Sequence, residues 1–67
     1  MFILMTQASS GDPVVEDVKN IREFYPDEVQ GDDGGFISGT VVNLYQGSPW
    51  FVREAVHALY EELNKNS

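Results

Sequence analysis

Few side chains in this sequence could do covalent chemistry. One imidazole, His57, lies three residues after Glu54 and four before Glu61, and there is no cysteine. His57 would have to act as general base for a serine, yet no serine sits in a G-x-S-x-G turn that would present a nucleophile. Glu54 and His57 have the E-x-x-H spacing of carboxylate-bridged metal centres, but such centres need a second copy and further carboxylates on facing helices. The run Asp27-Glu28-Val29-Gln30-Gly31-Asp32-Asp33-Gly34-Gly35 crowds oxygen donors of the kind calcium takes. It lacks the EF-hand spacing, in which a glutamate follows the loop glycine by six residues. Gly31, Gly34, Gly35 and Gly39 do not form a phosphate cradle either, because no Gly-Lys-Ser/Thr follows and the local charge has the wrong sign. No catalytic residue, metal ligand or cofactor is therefore expected, and the class that remains is binding.

The charge balance points the same way. Eleven acids face four bases, a net charge of −7. Recognition of phosphate backbones requires Lys and Arg to displace counterions, so direct binding to nucleic acid is disfavoured, and anionic membranes are disfavoured for the same reason. The natural complement is a larger protein with a basic surface, including one that ordinarily holds nucleic acid and is met here by an acidic mimic. Eight acids and two bases fall between Asp12 and Asp33, so nearly all the imbalance is local. Lys19 is spaced to pair with Glu16 and Glu23 on a helix. That leaves Asp27, Glu28, Asp32 and Asp33 as the expected partner-binding acids. Trp50, Glu54, His57 and Glu61 join them as expected partner-binding residues, because helical phase projects all four on one polar face, where tryptophan anchors interfaces. The alternative is that first-turn geometry folds Trp50 back over the strand end near Tyr45.

The elements that must position these groups can be read from periodicity. Asp12-Pro13 reads as a helix N-cap followed by proline at the first helical position. Val14, Val18, Ile21 and Tyr25 then fall at i, i+4, i+7 and i+11, which predicts a helix over residues 13–25, stopped by Pro26. Ser48-Pro49 repeats the punctuation, and Val52, Val56, Leu59 and Leu63 repeat the stripe, predicting a second helix over 49–64. Residues 36–45 are β-branched and aromatic and read as strand, with Ser38-Gly39 a point of bulge or break. Residues 27–35 read as turn, with a brief edge strand at 28–30.

The expected fold class is α+β: one small domain over 13–67, two amphipathic helices packed on one face of a two- or three-stranded sheet. Residues 1–12 are expected to be an N-terminal strand or a flexible lead. At 67 residues and with 42% hydrophobic composition, such a domain has little stability to spare, and a partner or a second copy that covers apolar surface would help it. The opening Met1-Phe2-Ile3-Leu4-Met5 is too short for a signal peptide or a membrane span. The lack of cysteine suits a reducing cytoplasm.

In size, acidity and lack of catalytic groups the chain resembles the small accessory proteins encoded by bacteriophages and prophages. The segment Phe24-Tyr25-Pro26-Asp27-Glu28-Val29, followed by Gly39-Thr40-Val41-Val42 and a C-terminal helix, is similar to small Bacillus prophage proteins. That resemblance implies a mobile-element origin and assigns no site residue. The expected function is a protein-binding inhibitor or adaptor, with a homo-oligomeric structural or assembly subunit as the alternative.

Overall fold

The computed structural model describes residues 1–65. Strands dominate: β1 (Phe2–Thr6), β2 (Pro13–Asp17), a 3-10 turn (Val18–Asn20), β3 (Ile21–Gln30), β4 (Phe36–Leu44) and β5 (Trp50–Val52) precede one helix, α1 (Val56–Lys65). β1 and β2 form an antiparallel pair, and β3, β4 and β5 form an antiparallel meander. The two sheets meet at a bridge between Gln7 and Val52, flanked by hydrogen bonds from Ala8 N to Phe51 O and from Arg53 N to Thr6 O.

This corrects the expectation of two helices on one face of a sheet. Residues 13–25 are strand, turn and strand, and the reason lies in how they bury. Val14 is buried while adjacent Val15 is 63% exposed, a period of two rather than a helical stripe. β1 carries Ile3 and Met5 into the core and needs a partner strand, which β2 supplies with Met5 opposite Val14. The 3-10 turn then resets the phase, so Val18 and Ile21 also pack against the core, at the positions a helical stripe would have used. The N-cap role expected of Asp12 belongs to Asp17, whose Oδ1 accepts from Lys19 N at 3.0 Å. Asp12 instead closes the β1–β2 turn, accepting from Gln7 N through its backbone carbonyl, with Gly11 at φ 78°.

Pro26 lies in mid-strand, opposite Thr40 on β4. β3 is the outer strand of its sheet, and a proline fits there where its nitrogen faces away from the neighbouring strand. The second predicted helix starts late. Trp50, Phe51 and Val52, an aromatic and β-branched run, pair with Val42, Val41 and Thr40. Helix begins at Val56, and Leu59 is its buried residue, with Leu63 packed beside the core.

The core is Ile3, Met5, Val14, Val42, Val52 and Leu59, contributed by β1, β2, β4, β5 and α1. One buried polar side chain lies within it. Thr40 Oγ1 donates to Glu54 O at 2.6 Å, so its hydroxyl is satisfied and ties the strand to the segment leading into the helix. Gly39 neither bulges nor breaks β4: a Cβ there would run into the Val52 carbonyl and the Phe51 ring, so its bare backbone is what lets β5 end against β4. No helix among the described residues is long and apolar enough to cross a membrane.

Candidate functional site

β3 and β4 run well past the core. Every residue of β3 from Tyr25 to Gln30 is exposed, and the molecule is elongated, 39 × 23 × 19 Å. Asp27 and Glu28 lie on this outer part of β3, and Asp32 and Asp33 lie in the turn that closes it. The edge strand expected at 28–30 is the end of this longer strand, and the turn proper is 31–35. Gly31 N donates to Gly35 O at 2.7 Å, and Asp33 Oδ1 accepts from Gly35 N at 3.0 Å. Asp27 Oδ1 accepts from Glu28 N at 2.8 Å, and Glu28 Oε1 accepts from Ser38 Oγ at 3.2 Å.

These contacts orient the carboxylates of Asp27, Glu28 and Asp33 without neutralising them. The ion pairs among the described residues are Arg22–Glu23 and Lys65–Glu62, beside a contact between His57 and Glu61, and none of these reaches the hairpin acids. The pairing expected between Lys19 and its helical neighbours does not occur, since there is no helix there. Glu23 meets Arg22 at 3.1 Å, and Glu16 is taken up elsewhere. An open depression of about 530 Å³ lies beside Asp27, Glu28 and Ser38. It shares Pro26, Ser38 and Gly39 with a second depression of about 270 Å³, whose other wall is Arg53, Ala55 and Val56.

The other four candidate residues lie on different elements. Trp50 is not on a helix face with Glu54, His57 and Glu61, because it belongs to β5. It packs half-buried against the core, and its Nε1 donates to Glu16 Oε1 at 3.1 Å. That bond is the main cause holding the Glu16 carboxyl below its ordinary value; Asn20 and the Asp17 N–H lower it further, against a contrary push from burial. Glu54 is half-buried between β5 and α1, where its Oε1 accepts from Thr6 N at 2.9 Å. His57 Nε2 lies 3.0 Å from Glu61 Oε1, one turn along the exposed face of α1. No hydrogen bond or ion pair among the described residues joins these four to the hairpin acids.

Sequence reasoning missed two surfaces. One is the outer face of β1–β2, where Leu4 stands opposite Val15 and Phe2 is diagonal to it, each about two-thirds exposed. Apolar residues at consecutive rather than alternate positions from Phe2 to Met5 were its signal. The other is the edge of β4 around Phe36 and Ser38, which shows only once β5 is known to be short. Among the described residues, no three carboxylate or imidazole groups converge as a metal site. Comparison with protein-family models, with curated proteins and with solved structures yields no match.

Proposed function

We propose that this is a small acidic protein-binding module, an inhibitor or adaptor rather than an enzyme, that works in the cytoplasm. It docks on a basic surface of a larger protein through the outer end of the β3–β4 hairpin. The observation that carries the reading is the set of four hairpin carboxylates, Asp27, Glu28, Asp32 and Asp33, presented on a protruding ladder with no cation in ion-pair reach among the described residues. Like charges held together repel one another, and a basic surface relieves that repulsion while its field steers encounter. A site that ordinarily grips nucleic acid phosphates has the required sign.

The test is retention of host proteins on the immobilised chain, compared with the D27N/E28Q/D32N/D33N variant. Partners should be released by raised salt, and their association with the variant should be slower by about tenfold or more at low ionic strength. Equal retention and equal association rates would remove the hairpin acids from the function.

A second reading, self-association as a structural subunit, is favoured by a different observation, the exposed Phe2, Leu4 and Val15 on one sheet face. Sedimentation of the native chain beside Leu4→Glu tests it. A dimer that Leu4→Glu converts to monomer supports this reading, and a native monomer at all concentrations removes it.

A further inference from the structure

β4 is paired with β3 from Phe36 to Leu44, but on its other side β5 covers only Thr40 to Val42. From Phe36 to Gly39 that second edge has no strand beside it among the described residues. The direction of its backbone groups follows from alternation along antiparallel strands. Phe51 O accepts from Ala8 N, and Arg53 N donates to Thr6 O, so residues 51 and 53 turn their polar groups toward β1. Trp50 and Val52 therefore turn theirs toward β4, and their partners Val42 and Thr40 turn theirs toward β5. By the same alternation Ser38 and Phe36 present N–H and C=O on the open edge. Pro26 agrees with this phase: opposite Thr40, its nitrogen faces away from β4, where a missing N–H costs the ladder nothing.

The β3–β4 ladder thus has two open edges, and they differ. The outer edge of β3 carries Pro26 together with Arg22, Glu23, Asp27 and Glu28, the proline and charge by which proteins discourage strand pairing. The free stretch of β4, Phe36-Ile37-Ser38-Gly39, has neither. The two depressions meet at Ser38 and Gly39, beside this stretch. Phe36, Ser38, Glu28 and Pro26 share one face of the hairpin by register, and Phe36 is 74% exposed.

We infer that the β4 edge at Phe36–Ser38 accepts an extended, basic segment of a partner protein as an added strand, an inference that rests on the hairpin's role as a docking element for basic partners. Backbone hydrogen bonds to Phe36 and Ser38 supply affinity. Alternate side chains of the incoming segment meet Phe36 and the hairpin acids and supply selectivity. Charge decides the occupant. A second copy would bring its own four hairpin acids to the same place, whereas lysine or arginine on the incoming strand neutralises them.

The experiment uses the full chain, isotopically labelled, and a capped Lys-Val-Lys-Val-Lys-Val peptide at low salt. Bound peptide should shift and protect from exchange the Phe36 and Ser38 amides and leave the outer edge of β3 unchanged. N-methylation of the peptide at alternate residues, made in both phases, should weaken binding about tenfold or more in at least one phase by removing edge hydrogen bonds. The D27N/E28Q/D32N/D33N variant should also bind more weakly. If both methylated peptides bind as well as the parent while the charge variant still binds less, strand addition is overturned and the acidic docking role stands. If neither change matters, or the peptide does not bind, both are overturned. Protection at Phe36 and Ser38 that grows with protein concentration in the absence of peptide would give the edge to a second copy and overturn the inference.

Discussion

The β3–β4 ladder has two ends built from similar residues but held in different surroundings. At the inner end, Ile21, Phe24, Val42 and Leu44 face β1, β2 and α1 and join or pack against the core. At the outer end, Val29 and Phe36 are just as apolar, yet they lie in solvent beside the hairpin carboxylates. Strand propensity does not distinguish the two ends, and what lies across the sheet does. Stability should therefore reside at the inner end and partner chemistry at the outer end, with changes at one largely silent at the other.

The largest effect that would sharpen this contrast is at Leu59, the one residue of α1 fully inside the core. Leu59→Ala should cost about 2–5 kcal/mol in denaturant melts. A loss below about 0.5 kcal/mol would mean that α1 is not part of the inner end.

Next comes Gly39, at the boundary between the two ends. Gly39→Ala forces a Cβ against the Val52 carbonyl and the Phe51 ring and should cost about 1–3 kcal/mol. Unchanged stability would show that β5 does not close on β4 there.

A smaller effect is expected where Trp50 meets Glu16. Removing the indole N–H with Trp50→Phe should cost about 1 kcal/mol at neutral pH. The pH dependence gives a clearer signature. The folded-state value of Glu16 is depressed, so its contribution is present above the ordinary glutamate range and is lost as pH falls through the lowered value. Native protein should lose this component on acidification below about pH 4.3, and Trp50→Phe and Glu16→Gln should both flatten that part of the profile. Identical profiles for all three would exclude the bond as a contributor.

The smallest stability effect is predicted at the outer end. The D27N/E28Q/D32N/D33N variant should fold within about 0.5 kcal/mol of the native chain, even where its partner binding is much weaker. A large destabilisation would break the comparison, because it would make the hairpin acids part of the fold.

Much of the architecture was ambiguous in one dimension for a definite reason. Val14, Val18 and Ile21 satisfy a helical stripe, and they equally satisfy a strand, a 3-10 turn and a second strand that each turn one residue inward. Asp12-Pro13 and Ser48-Pro49 read as helix starts, although proline is tolerated as well at the first residue of a strand such as β2. Long-range pairing decided between these readings. Ile3 and Met5 needed β2, and the short run Trp50–Val52 was drawn into the sheet by β4 and by its bridge to Gln7. Trp50 moved with it, from an expected exposed helix face to a half-buried place on Glu16.

Residue chemistry alone determined the acidity, its concentration between Asp12 and Asp33, the extended character of 36–44 and the inward face of α1 around Leu59, because composition and local periodicity carry those properties. Which carboxylates stand together on an exposed ladder, which take part in internal hydrogen bonds, and which strand edge is left open were decided only by tertiary structure. Those outcomes depend on partners distant in sequence, such as Thr6 for Glu54 and Trp50 for Glu16, and no local pattern specifies a contact across thirty or more residues.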